Sequence, residues 1–273
     1  MEEYYTNLAK ESVTKEEAFS RLIDIIELLR RECPWDRVQT HKSLRGCMLE
    51  EAYEVVEAID NEDKDNLEEE LGDVLLQIIF HASLADEQHD FDMLSLINRE
   101  CDKMIRRHPH VFLKETAKSV DKVLEKWENV KKREYGTRTQ TQRLASVPKA
   151  LPALARSYKV QARAAEVGFD WENVGPAFLK VKEEAEELFE AYNNPFASKD
   201  KMEEELGDLL FSVVNVARFL KIDPEQALTL TSDKFIRRFR YIEEVALTEG
   251  KVLEKMPLAE MDKLWNEAKK TER

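Results

Sequence analysis

The residues best suited to chemistry in this chain are acidic, and they come in matching sets. Residues 68–73 and 203–208 both read EEELGD, and a second acidic stretch precedes each, EEAYEVVEA at 50–58 and EEAEELFEA at 183–191. In the later set Glu183, Glu184 and Glu187 stand at i, i+3 and i, i+4, on adjoining parts of one helix face. Glu205 and Asp208 are related by i, i+3 on the next predicted helix. NNPFAS at 193–198 supplies the turn, and so short a connection makes the two helices antiparallel neighbours. Glu187 and Glu205 each lie nine residues from the turn centre near 196, and Glu184 and Asp208 each lie twelve away. At ~1.5 Å rise per residue the two pairs match in height.

Four facing carboxylates repel unless a cation neutralises them. All-oxygen ligation suits a hard divalent ion, magnesium with manganese as a substitute, rather than zinc. Glu51, Glu54, Glu70 and Asp73 repeat the arrangement around IDNEDKD in the earlier set. A solvated acidic face explains one EExxE by itself. It does not explain matched heights, apolar neighbours on the same helices and recurrence in two places.

Positive charge is also concentrated. DKMIRR at 102–107 answers DKFIRR at 233–238, giving Lys103, Arg106 and Arg107, then Lys234, Arg237 and Arg238. Basic residues sharing a helix face suit several phosphate oxygens at once, or else ordinary ion pairs with the many glutamates. Lys180 and Lys201 stand one turn before Glu184 and Glu205, where the earlier set has Cys47 and Asn66, and Arg240 stands where the earlier set has Pro109. Trp127 with Lys131 answers Trp265 with Lys269. Each tryptophan could flank a nucleotide or anchor a core. His108 and His110 suit solvent-facing or capping roles better than metal ligation.

These ordered matches imply a tandem duplication, with one repeat over 16–135, a linker over 136–147 that lacks apolar periodicity, and a second repeat over 148–271. The elements that position the acids are helices. Leu67, Leu71, Val74, Leu75, Ile78, Ile79 and Ala82 follow helical spacing over four turns, as do Leu22, Ile25, Ile26 and Leu29. Asp223-Pro224 reads as an N-cap with proline in the first turn, and Gly175-Pro176 also suits a helix start. No stretch reads as a strand, so the expected fold class is all-α, a duplicated bundle of four to five helices. Gly72 and Gly207 interrupt these helices at a cost of ~1 kcal/mol relative to Ala, which suggests close approach of a backbone or a ligand.

Composition agrees. The 273 residues include only 7 Gly and 8 Pro against 36% charged residues, a balance suited to long amphipathic helices. A net charge of -14 argues against a binder of nucleic-acid polymers. Three cysteines without CxxC spacing suggest neither zinc nor a disulfide framework. The acidic opening segment is unlike a signal peptide, and no apolar run approaches the ~18 residues of a membrane span. A cytoplasmic protein without membrane association is the expectation.

CPWD at 33–36, QTHKSL at 39–44, the doubled EExxE and ExxD pairs, RRHPHVF at 106–112, VGFDW at 167–171 and DKFIRRFR at 233–240 together resemble the MazG family of nucleoside triphosphate pyrophosphohydrolases, over nearly the whole chain. The resemblance implies magnesium-dependent hydrolysis between the α- and β-phosphates, relaxed base preference and a homodimer, serving nucleotide-pool housecleaning or control of a signalling nucleotide. It implies that Glu184, Glu187, Glu205 and Asp208 are metal ligands, with Glu51, Glu54, Glu70 and Asp73 their counterparts. It further implies that Lys234, Arg238, Trp265 and Lys269 contact the nucleotide, with Lys180, Lys201 and Arg237 as further cations, and that Glu183 and Glu204 orient water. The second repeat is then the main catalyst. A carboxylate-bridged di-iron bundle is disfavoured, because no Glu is followed by His three positions later. The remaining alternative is a helical scaffold or interaction protein with degenerate metal sites.

Overall fold

The computed structural model describes residues 8–112, 119, 122–123 and 139–271. The predicted Trp127 and Lys131 pair and linker residues 136–138 lie outside the described residues. The chain divides into two compact units, Met1–Glu134 and Tyr135–Arg273. Among the described residues all regular structure is helical, and no helix is long and apolar enough to cross a membrane.

The first unit contains α1 (Lys15–Glu32), α2 (Arg45–Asp60), α3 (Lys64–Glu87), α4 (Met93–Arg107) and the single turn α5 (Pro109–Phe112). Local chemistry sets the starts. Thr14 accepts from the Glu17 amide while Glu17 reaches back to the cap, and Asp92 and Ser95 do the same for α4. His108 caps the end of α4, with Nδ1 2.7 Å from the Met104 carbonyl. Ile26, Leu44, Ile79, Phe80 and Leu84 form the core where α1, α2 and α3 meet. The stripe predicted for α3 is only partly used: Ile79 and Ala82 are buried, whereas Leu71 and Ile78 are exposed. It is wider than α1 and α2 can cover.

CPWD forms a corner after α1, closed by a 3-10 turn at Asp36–Val38. Arg30, itself buried, donates to the Asp36 and Gln39 carbonyls, forms a two-pronged ion pair with Glu87 at 2.8 and 2.6 Å, and lies over the Phe80 ring.

The second unit contains α6 (Gln140–Ala145), α7 (Ala153–Ala165), α8 (Val174–Asn193), α9 (Lys199–Leu220), α10 (Pro224–Thr248) and α11 (Leu258–Thr271). The Asp223 cap with Pro224 inside the first turn is as expected, and Asn173 caps α8 ahead of Gly175 and Pro176. Residues 139–147 of the expected linker are described and include the short helix α6. Thr139 and Gln142 form a capping box on α6, Arg143 pairs with Glu166, and Val147 is buried. A helix of six residues is too short to show apolar periodicity, and its stability comes from these side-chain ties.

The close approach expected at Gly72 and Gly207 is not made within the chain. A Cβ added at either position meets nothing within 4 Å. Both glycines face outward.

Candidate active site

Helices α8 and α9 pack side by side, joined through 194–198. Asn194 ends α8 and accepts from the Phe196 amide, and Ser198 starts α9 by accepting from the Lys201 amide at 3.2 Å. This hairpin brings Glu184, Glu187 and Glu205 together, with one carboxylate oxygen from each lying within 4.8 Å of the others. Glu184 and Glu205 are only 5% and 6% exposed, whereas Glu187 is exposed. Asp208, the fourth expected ligand, is exposed and stands outside this close group, one turn along α9 from Glu205.

Lys180 and Lys201 occupy the site as counter-ions. The Lys180 ammonium bridges Glu183 at 2.9 Å and Glu184, while Lys201 bridges Glu204 at 3.1 Å and Glu205 at 2.6 Å. These contacts hold both lysines protonated well above the ordinary range. Glu183 and Glu204 are thus exposed neighbours, each sharing a lysine with a buried glutamate. One Glu184 oxygen, Oε2, is buried with no hydrogen-bond partner. A buried carboxylate oxygen without a donor carries a desolvation cost that a cation would remove. The hard oxygen donors and this orphaned atom fit a divalent ion. An open cleft of about 630 Å³ adjoins the cluster, lined in part by Glu187, Asn194, Phe196 and Lys201.

The first unit builds the counterpart without lysines. Glu51, Glu70 and Asp73 lie within the same mutual distance, and the Glu54 carboxyl is close beside Glu51 and Glu70. Cys47 and Asn66 stand where the lysines would be. Desolvation first, then the neighbouring carboxylates, push the Glu51 and Glu70 carboxyls up, and the same causes push up Glu187. A carboxyl raised in the folded state contributes stability that is full below its ordinary pKa of ~4.3 and lost as pH rises through the raised value. Saturating magnesium should therefore raise the melting temperature more near pH 7 than near pH 5, a comparison from which the opposite pH dependence of His81, held below its ordinary range by burial and by His41, cancels. Differential scanning calorimetry checks this, and a larger rise near pH 5 would contradict the crowding of these carboxyls.

The basic and aromatic candidates gather on α10 and α11. Trp265 lies 5.0 Å from the Phe235 ring, and the Arg238 guanidinium sits over its face at 5.5 Å. Trp265 is therefore packed within its own helix pair as well as adjacent to charge. Lys234 is half-buried, while Arg237 and Lys269 are exposed. The principal packing partners of α10 are α7 and α11.

A second cavity, of about 470 Å³, lies where α7 and the turn at 168–171 meet α9, with Gln161, Trp171, Phe211, Asn215 and Arg218 among its lining. Sequence reasoning singled out VGFDW but assigned none of these residues to a site. The available signal was Asn215 and Arg218 placed within the largely apolar run FSVVNVARFL.

The MazG nucleotide pyrophosphohydrolase domain is matched twice, at residues 39–112 and 177–242. The chain is 43% identical over 255 residues to the nucleoside triphosphate pyrophosphohydrolase/pyrophosphatase MazG of Thermotoga maritima, covering 92% of this chain and 95% of that protein. It is 41% identical over 255 residues to the nucleoside triphosphate pyrophosphohydrolase of Escherichia coli K12, covering 92% and 97%. It is 50% identical over 257 residues to the uncharacterized protein YabN of Bacillus subtilis, covering 93% of this chain and 52% of that protein. With two acid-bearing helical hairpins and the domain matched once in each unit, this chain belongs to the MazG family.

Proposed function

We propose that the chain hydrolyses nucleoside triphosphates, ribo- and deoxyribo-, to the monophosphate and pyrophosphate, using magnesium or, in its place, manganese. The observation that carries this reading is the trio Glu184, Glu187 and Glu205, two of them buried and one with an orphaned oxygen. A helical scaffold would have no use for that cost.

Glu184, Glu187 and Glu205 would hold the ion, with Asp208 joining from the next turn of α9. The bound ion supplies charge neutralisation and an acidified water. Glu183 and Glu204 then orient the attacking water. Lys180 and Lys201, released from their glutamates, contact phosphate oxygens, and Lys234, Arg237, Arg238 and Lys269 stabilise the leaving diphosphate, with Trp265 alongside. Base preference is broad, and the cellular role is housecleaning of the nucleotide pool or control of a signalling nucleotide.

We further propose that the working form is a homodimer. Supporting this, Leu179, Phe189, Tyr192, Leu210 and Phe235 are large apolar side chains exposed on α8, α9 and α10.

Incubated with ATP and magnesium, the protein should release AMP and pyrophosphate as the first products, separable by anion-exchange chromatography. ADP and inorganic phosphate as first products would exclude cleavage between the α- and β-phosphates.

A further inference from the structure

The two carboxylate oxygens of Glu184 have unlike surroundings. Oε1 is held by the Lys180 ammonium, whereas Oε2 is buried with no hydrogen-bond partner. Glu205 likewise gives its Oε1 to Lys201, at 2.6 Å. A divalent ion drawn to the open oxygen of Glu184 therefore meets an ammonium already seated on the other oxygen of the same carboxylate. Cations that share one carboxylate repel, and the repulsion is strong here because Glu184 and Glu205 are both buried. The lysines leave an oxygen for the ion and at the same time oppose its arrival.

Both ammonium groups have somewhere else to go. Lys180 is half-buried and Lys201 exposed, and each also touches an exposed glutamate, Glu183 or Glu204. Lys201 lines the open cleft of about 630 Å³ beside the cluster, together with Glu187 and Glu205. A triphosphate offers an ammonium several charged oxygens at once, with charge-assisted bonds at least as good as those to a shared glutamate. Drawn onto a triphosphate, the lysines no longer compete for the buried carboxylates.

The fold does not depend on these lysines. The hairpin of α2 and α3 brings equivalent acids together with Cys47 and Asn66 in their places. Ion pairs between side chains one turn apart on a helix surface add little to stability. Their position against buried acids is thus better accounted for by what they do to a cation.

We propose that Lys180 and Lys201 make metal loading of the second cluster conditional on the triphosphate. Alone, the cluster holds a divalent ion weakly, and a bound triphosphate relieves the competition by taking the ammonium groups. This rests on the reading of the chain as a metal-dependent nucleoside triphosphate hydrolase and adds to it an order of assembly. By linkage, the ion strengthens triphosphate binding by the same factor. The site is then complete only when the bond to be cut is present.

The test is manganese binding by the full chain, measured by titration calorimetry without nucleotide and with α,β-methylene-ATP, whose carbon bridge is not hydrolysed. The analogue's own affinity for manganese is measured separately, and binding abolished by Glu187→Ala is assigned to the second cluster. In the unaltered protein this component should be weak alone and about tenfold or more tighter with the analogue. In Lys180→Met combined with Lys201→Met it should be about tenfold or more tighter without the analogue, which should then add less. Either single variant should give part of that gain. Lys180→Arg with Lys201→Arg keeps both charges and should stay weak. Lysines that merely supported the helices would give no gain of metal affinity on removal. Unchanged or weaker manganese binding in the double Met variant, with the Glu187-dependent component present, would overturn the competition and leave the hydrolase reading standing. No Glu187-dependent binding with or without the analogue would overturn the metal-dependent reading itself, and this inference with it.

Discussion

Glu187→Ala should cut magnesium-dependent turnover of a nucleoside triphosphate by on the order of a hundredfold or more, the equivalent of ~3 kcal/mol of lost transition-state stabilisation. Its carboxylate is one of three within mutual reach and is exposed toward the cleft, so no other residue replaces it without moving. The metal-free protein should melt at the same temperature or slightly higher, because the change removes one of several mutually repelling acids. The matched control is Glu54→Ala in the first unit, whose cluster has no lysine at the positions of Lys180 and Lys201. A triphosphate brings several negative charges, and the cluster with its own ammonium groups is better suited to receive them. Glu54→Ala should keep most of the activity. Equal losses in steady-state assays at saturating magnesium would mean that both repeats carry the chemistry.

Arg30→Ala should lower the stability of the first unit by about 3 kcal/mol, and its melting temperature by roughly 10 °C or more. The guanidinium is buried, and its loss leaves the Asp36 and Gln39 carbonyls without this donor and Glu87 without its ion pair. Glu87 is half-exposed and recovers water, which keeps the loss at the lower end for a broken buried pair. Arg30→Lys recovers only part of it, since one ammonium cannot reproduce the fork. Hydrogen exchange resolved by residue should show α1 and the CPWD corner opening first. Unchanged protection there would remove Arg30 from the stability of the corner.

Much of the second unit was legible because its signals are local. Asp223-Pro224 caps α10 by chemistry that needs no tertiary partner, and the spacing of Glu184, Glu187 and Glu205 converges wherever the two helices pair. Asp208 was less legible, because spacing fixes a height on a helix but not the rotamer or tilt that brings a side chain inward. Residues 140–145 lie in the expected linker, yet they fold through ties to α7 that no periodicity announces. The cavity escaped for the same reason: Gln161, Asp170 and Arg218 come from three separate segments, and only their packing makes them neighbours.

Lys180 and Lys201 together carry the charge of one divalent ion. An ion entering the second cluster and freeing both ammonium groups leaves the cluster's own charge unchanged, a one-for-one ion exchange. The two positive charges are not lost from the region, since each lysine remains tethered one helical turn from its former partner. Such an ion would make either cluster more positive by two units, but only in the second would the gain stand on mobile ammonium groups. In the first cluster Cys47 and Asn66 have nothing to release. On the proposed reading, the same ion would only neutralise acids in one half of the molecule and would free cations for an anion in the other.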